Sequence, residues 1–153
     1  MEQHLQELIN KIPTGLLIGD TWREGSAGET FDVLNPATEE KLTTLASATP
    51  EDAIAALDAA CQVQDQWAHT PPRERAEILR QAYDLITDRS EEFATLMTLE
   101  MGKPLAESRG EVVYGAEFLR WFSEETVRDY GRYQPTPEGK NQILVKHKPV
   151  GPC

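Results

Sequence analysis

Apolar and polar positions alternate with a period of two in the first third of the chain and then repeat with a period near 3.6. Residues before Leu16 read as a polar lead-in. Leu16-Leu17-Ile18, Gly19-Asp20 and Thr21-Trp22-Arg23 read as a short hairpin, with Gly19 supplying the positive φ of a II′ turn. Glu24 to Gly28 is a loop, and Thr30 to Leu34 is a strand. Asn35-Pro36-Ala37-Thr38 is a turn, since Pro36 fixes its own φ and holds Asn35 extended. Lys41 to Ser47 is a further strand, with Leu42, Thr44 and Ala46 on one face.

Thr49-Pro50-Glu51-Asp52 then reads as a helix start. Thr49 can cap, Pro50 suits the first turn, and Asp52 sits where a capping-box acid belongs. Its apolar stripe is Ala53, Ala56, Leu57, Ala60, Val63 and Trp67. A second helix begins at Thr70-Pro71-Pro72, with Ile78, Leu79, Ala82, Leu85 and Ile86 inward. A third begins at Ser90, with Phe93, Leu96, Met97 and Met101 inward, and Gly102-Lys103-Pro104 ends it. A fourth runs from about Pro104 to about Asp129, roughly 39 Å. It carries Leu105, Val112, Ala116, Leu119 and Phe122 on one face and Tyr114, Phe118 and Trp121 on a neighbouring one. A helix apolar on two faces is expected to meet other structure on two sides. Asn141 to Lys148 alternates again and reads as a strand without a neighbour in sequence, its lysines typical of an edge. The segment is thus α+β, with N-terminal hairpins, four helices and one terminal extended strand.

Charge and composition narrow the choice of partners. The net charge is −11, from 26 acidic against 15 basic residues. That field repels a phosphate backbone and excludes nucleic acid as the expected partner. It is uneven: from Gly131 onward Arg132, Lys140, Lys146 and Lys148 face only Glu138, a local +3 that leaves −14 for the first 130 residues. Such runs read as solvated faces. Apolar residues make up 39% of the 153, enough for an ordinary core. No apolar run is long enough to span a membrane and no basic leader opens the chain, so the expectation is a soluble cytoplasmic protein.

The chemistry-bearing residues form no pattern of their own. Neither a Gly-rich phosphate loop nor a Gly-x-Ser-x-Gly elbow occurs. His4, His69 and His147 are expected on surfaces or strand faces. Cys61 and Cys153 are too few for a disulfide framework and lie in no metal-binding spacing. Cys61 falls mid-helix and reads as packing, and Cys153 as a small strand residue. No catalytic, cofactor-binding or metal-ligating residue is therefore assigned.

Five stretches in order carry a resemblance. They are Leu17-Ile18-Gly19-Asp20-Thr21-Trp22, Val33-Leu34-Asn35-Pro36-Ala37-Thr38, Arg75-Ala76-Glu77-Ile78-Leu79, Leu99-Glu100-Met101-Gly102-Lys103-Pro104-Leu105 and Lys148-Pro149-Val150-Gly151. Together they resemble the aldehyde dehydrogenase family. Pro13 to Gly19, Glu117 to Glu125 and Lys148 to Cys153 look most like its succinate-semialdehyde dehydrogenase branch. The resemblance implies an α/β parent fold. Residues 1–139 would form the amino-terminal part of a cofactor-binding domain, and 140–153 the first strand of a bridging element that pairs subunits. The catalytic domain would be absent.

In that family a cysteine thiolate attacks the aldehyde, donors hold the oxyanion, hydride leaves to NAD or NADP, and a glutamate activates water. The resemblance places all of these groups beyond Cys153, which implies a segment inactive alone. Within the segment it places Gly110, Tyr114 and Phe118 on the wall of the substrate tunnel. It also places Glu100 and the Val33 backbone where some members bind a monovalent cation. The implied partners are a small aldehyde and further copies of the enzyme, as a dimer or tetramer. A second reading is a free-standing, non-catalytic module that uses the 141–148 strand for β-augmentation.

Overall fold

The computed structural model describes residues 2–153, with side chains from Leu5 onward, so the expectation for the His4 side chain lies outside the described residues. The lead-in is helical: α1 spans Glu2–Asn10 and buries Leu8. The described residues therefore hold five α-helices rather than four. The first hairpin forms as read, pairing β1 (Leu16–Ile18) with β2 (Thr21–Arg23) around Gly19 at φ +67°. β3 (Thr30–Leu34) pairs antiparallel with β4 (Lys41–Ala46). Between them the Asn35 side chain accepts from the Ala37 N–H at 2.9 Å, and the Glu39 N–H closes onto the Asn35 carbonyl at 2.8 Å. A short polar side chain that bonds its own turn is why Asn-Pro works there.

Asp52 joins this β region to the helices. It is the third residue of α2 (Pro50–His69) and is buried at 3% exposure. Thr49 accepts from the Asp52 N–H while the Asp52 carboxylate accepts from the Thr49 N–H at 3.0 Å, the reciprocal capping box the spacing predicts. The same carboxylate accepts from the Ser26 N–H at 2.9 Å and pairs with Arg23 at 3.3 Å. One side chain thus caps a helix, orders the 24–28 loop and ties down β2. The N–H groups of Thr49 and Ser26 stabilise the ionised form and hold its pKa down to about 2, against the opposing effect of burial.

The helical layer packs through small residues. α3 (Pro72–Asp88), α4 (Ser90–Met101) and α5 (Leu105–Glu125) lie against one another, α5 touching both of the others. The buried positions are Ala76 on α3, Ala94 on α4, and Ser108, Val112, Ala116 and Ser123 on α5. Small side chains let the helices approach closely, and each buried methylene-sized group contributes about 0.8 kcal/mol. Ser108, wholly buried, bonds the Thr98 hydroxyl at 2.9 Å, so its polarity is not left unsatisfied. Glu91 grips Arg109 with both carboxylate oxygens at 2.8 and 2.9 Å and fixes α4 against α5.

Several apolar stripes turn out differently from their sequence reading. The α2 residues Leu57, Val63 and Trp67 are exposed, as are Ile78 and Leu85 on α3 and Met101 on α4. Periodicity shows which residues share a face but not whether anything covers it. Cys61, expected to pack, is exposed, and Cys153 lies beyond the last strand rather than in one. The fourth sequence-read helix stops at Glu125 and tightens into a 3-10 turn, Thr126–Arg128. The terminal strand is not alone either: β6 (Gln142–Val145) pairs antiparallel with β5 (Arg132–Pro135), a strand the sequence reading missed because Pro135 closes it. No helix among the described residues is long and apolar enough to cross a membrane.

Asp52 makes the acid limb of stability testable. A carboxyl whose pKa falls from 3.8 to about 2 on folding stabilises the fold above roughly pH 4, and that contribution fades as pH drops toward 2. Asp52→Asn is expected to lower the melting temperature at pH 7 by several degrees and to flatten the loss between pH 4 and 2. Circular-dichroism melts across that range check it; an unchanged acid limb would contradict the assignment.

Candidate functional site

The outward face of α5 carries an aromatic surface groove. Val112 and Ala116 point into the helical layer, so the positions two residues on, Tyr114 and Phe118, point away from it. Tyr114, Glu117, Phe118, Trp121 and Phe122 line a groove of about 360 Å3 there. Tyr114 and Phe118, one turn apart, meet edge to face with centroids 5.0 Å apart and planes at 87°. Trp121 is 62% exposed and Tyr114 68%, so these rings are presented rather than packed.

Of the residues placed on a tunnel wall by resemblance, Tyr114 and Phe118 come together in this groove. Gly110 lies two turns before Phe118 on the same side of the helix but outside the groove, with open space where a side chain would stand. Phe122, read on one face with Val112 and Ala116, instead lines the groove with Tyr114 and Phe118 and is 54% exposed. Glu117 was missed; its i+3 spacing from Tyr114 was the available signal. The groove contains no thiol, no imidazole and no metal-ligand set. It can contact an apolar ligand, but it offers no nucleophile.

Charge around the groove is balanced. Glu117 Oε2 is 2.7 Å from Arg120 Nη2, and the Arg120 guanidinium carbon lies 5.8 Å from the centre of the Tyr83 ring on α3. Elsewhere His69 Nδ1 lies 2.8 Å from the Asp65 carbonyl, and His147 pairs with Asp129 at the base of the β5–β6 hairpin. Among the described residues no three His, Cys, Asp or Glu side chains gather as a metal site, and Glu100 is exposed.

Two motif-bearing turns distant in sequence touch. Gly102 ends α4 in the left-handed region at φ +74°, and a side chain there would come within 3.0 Å of the Pro36 ring. The 99–105 segment and the Asn35-Pro36 turn therefore form one joint, and Lys103 beside it pairs with Glu111 of α5.

The family model described as "Aldehyde dehydrogenase family" matches residues 22–153. The chain belongs to the aldehyde dehydrogenase family. It is 80% identical over 112 residues, 73% of this chain, to a succinate-semialdehyde dehydrogenase of Paenarthrobacter nicotinovorans. It is 39% identical over 135 residues, 88% of this chain, to an NADP(+) succinate-semialdehyde dehydrogenase of Escherichia coli. It spans 25% and 28% of the lengths of those two proteins. The indole-3-acetaldehyde dehydrogenase AldA of P. syringae, solved as a C302A mutant with NAD+ and IAA, superposes with a TM-score of 0.88 at 33% identity. That match covers 98% of this chain and 30% of AldA. The hairpins and helices described above are thus an α+β part of the aldehyde dehydrogenase fold.

Gly102→Ala tests the joint between the two turns. Forcing a β-carbon into the left-handed region costs about 1–2 kcal/mol, and the contact with Pro36 adds to it. A thermal melt should show the loss, and wild-type stability in the variant would mean the turns do not depend on each other.

Proposed function

We propose that this chain is the amino-terminal part of an NAD(P)-dependent dehydrogenase that oxidises succinate semialdehyde to the dicarboxylic acid. The observation that carries the reading is the 80% identity to a succinate-semialdehyde dehydrogenase, within a family match that runs from residue 22 to 153. On this reading residues 1–139 belong to the cofactor-binding domain and 140–153 begin the element through which subunits pair. The β5–β6 hairpin follows the helical layer and exposes Tyr133 and Leu144, and because its two strands pair across that boundary β5 would belong with the pairing element as well.

The chain's own contribution is a wall. Tyr114 and Phe118, with Trp121 and Phe122 beyond them, would line the path to the reacting carbon and keep water from it. Gly110, on the same side of α5, leaves room for the chain of a substrate. No residue here is assigned to nucleophilic attack, oxyanion stabilisation or hydride transfer. The NADP(+) named for the Escherichia coli relative and the NAD+ bound in the P. syringae structure support a nicotinamide cofactor for the complete enzyme; on this reading no residue of this segment is assigned to hold it. Localisation in the cytoplasm accords with this reading.

Two assays separate the parts of the proposal. The complete enzyme should reduce NAD or NADP, followed at 340 nm, when given succinate semialdehyde. The isolated 153-residue chain should reduce neither. Turnover by the isolated chain would overturn its assignment as a non-catalytic wall; a complete enzyme inert to succinate semialdehyde would overturn the substrate.

A further inference from the structure

Glu117 is the one carboxylate among the residues lining the aromatic groove. Left alone its partly screened charge would oppose an anionic ligand in the groove. It is not left alone. Arg120, one turn on, holds it at 2.7 Å without itself lining the groove, and the Tyr83 ring of α3 lies beside that guanidinium. The placement is asymmetric: the anion faces the groove and its counter-charge stands behind it.

We propose that Arg120 sets the charge selectivity of the groove, neutralising Glu117 so that an aldehyde with a second, anionic end group can pass. The proposal rests on the reading of this groove as a wall of the substrate path. Arg120 acts through Glu117 and is a positioning residue. A neutral aldehyde does not sense the pair, whereas one with a terminal carboxylate does. Both side chains are about half exposed, at 47% and 42%, so the effect is that of one partly screened charge.

The test compares the complete enzyme with its Arg120→Gln variant on succinate semialdehyde and on a neutral aldehyde of equal chain length. The KM for the anionic substrate should rise roughly two- to five-fold at low ionic strength and less as salt is added. Its kcat and the KM for the neutral aldehyde should hold. Arg120→Lys should restore the anionic KM, and so should adding Glu117→Gln to Arg120→Gln, since that removes the exposed charge. The double variant also separates charge from folding, because it restores neutrality without restoring the ion pair. Equal shifts for both aldehydes, no shift for either, or failure of Glu117→Gln to rescue would overturn the proposal. A wild-type enzyme that oxidises neither aldehyde would instead overturn the functional reading beneath it.

Discussion

The close packing of α5 against α3 and α4 is the contact on which the rest of the structure depends. That packing needs a narrow strip of small side chains, and Ser108, Val112, Ala116 and Ser123 supply it. The large residues of the same helix are forced onto its other faces. Tyr114, Phe118, Trp121 and Phe122 therefore gather on the outside as a consequence of what the inside excludes. The groove is the complement of the core. A bulky residue at Ala116 would push α5 from α3 and α4 and move the aromatic wall with it.

The β region is held to the helices by two compact joints, one to α2 and one to the end of α4. At one, Asp52 satisfies the start of α2 and the 24–28 loop with a single buried carboxylate. At the other, the left-handed end of α4 presses on Pro36. Both are polar or conformational devices in a chain with few fully buried apolar side chains. That balance suits a segment whose Leu57, Val63, Trp67, Ile78 and Leu85 stand in solvent. In the functional reading these faces and the groove are prepared surfaces: they need further structure opposite them before any chemistry occurs.

In the proposed reading, the position of Glu117 and Arg120 beside the groove would link helix register to selectivity. Residues three apart on a helix meet on one surface, so the sequence step that brings Glu117 to the groove also brings Arg120 behind it. On that reading, an apolar and neutral wall would offer little resistance to either end of a substrate with an aldehyde at one end and a carboxylate at the other.

Much was legible in the sequence because it depended on neighbours along the chain. The Gly19 turn, the Asn35-Pro36 turn, the Thr49–Asp52 capping box and the Gly102 helix end are local devices, and each formed where its residues stand. The family was legible for the same reason, since its motifs are these turns in order. Contacts between distant residues were not. Periodicity marked the stripes of α2 and α3 but could not say that Leu57 and Leu85 would remain exposed, nor that Phe122 would face the groove. The helical lead-in at Glu2–Asn10 was missed although Leu5, Leu8 and Ile9 recur at helical spacing, and a second strand at Arg132–Pro135 was too short to carry a period. The sequence by itself determined the turns, the caps and the family. Only the tertiary structure decided which apolar faces are covered, that Asp52 also binds Ser26 and Arg23, and that Arg120 lies beside Tyr83 of α3, because burial and pairing across the fold are properties of packed elements and not of any one stretch of chain.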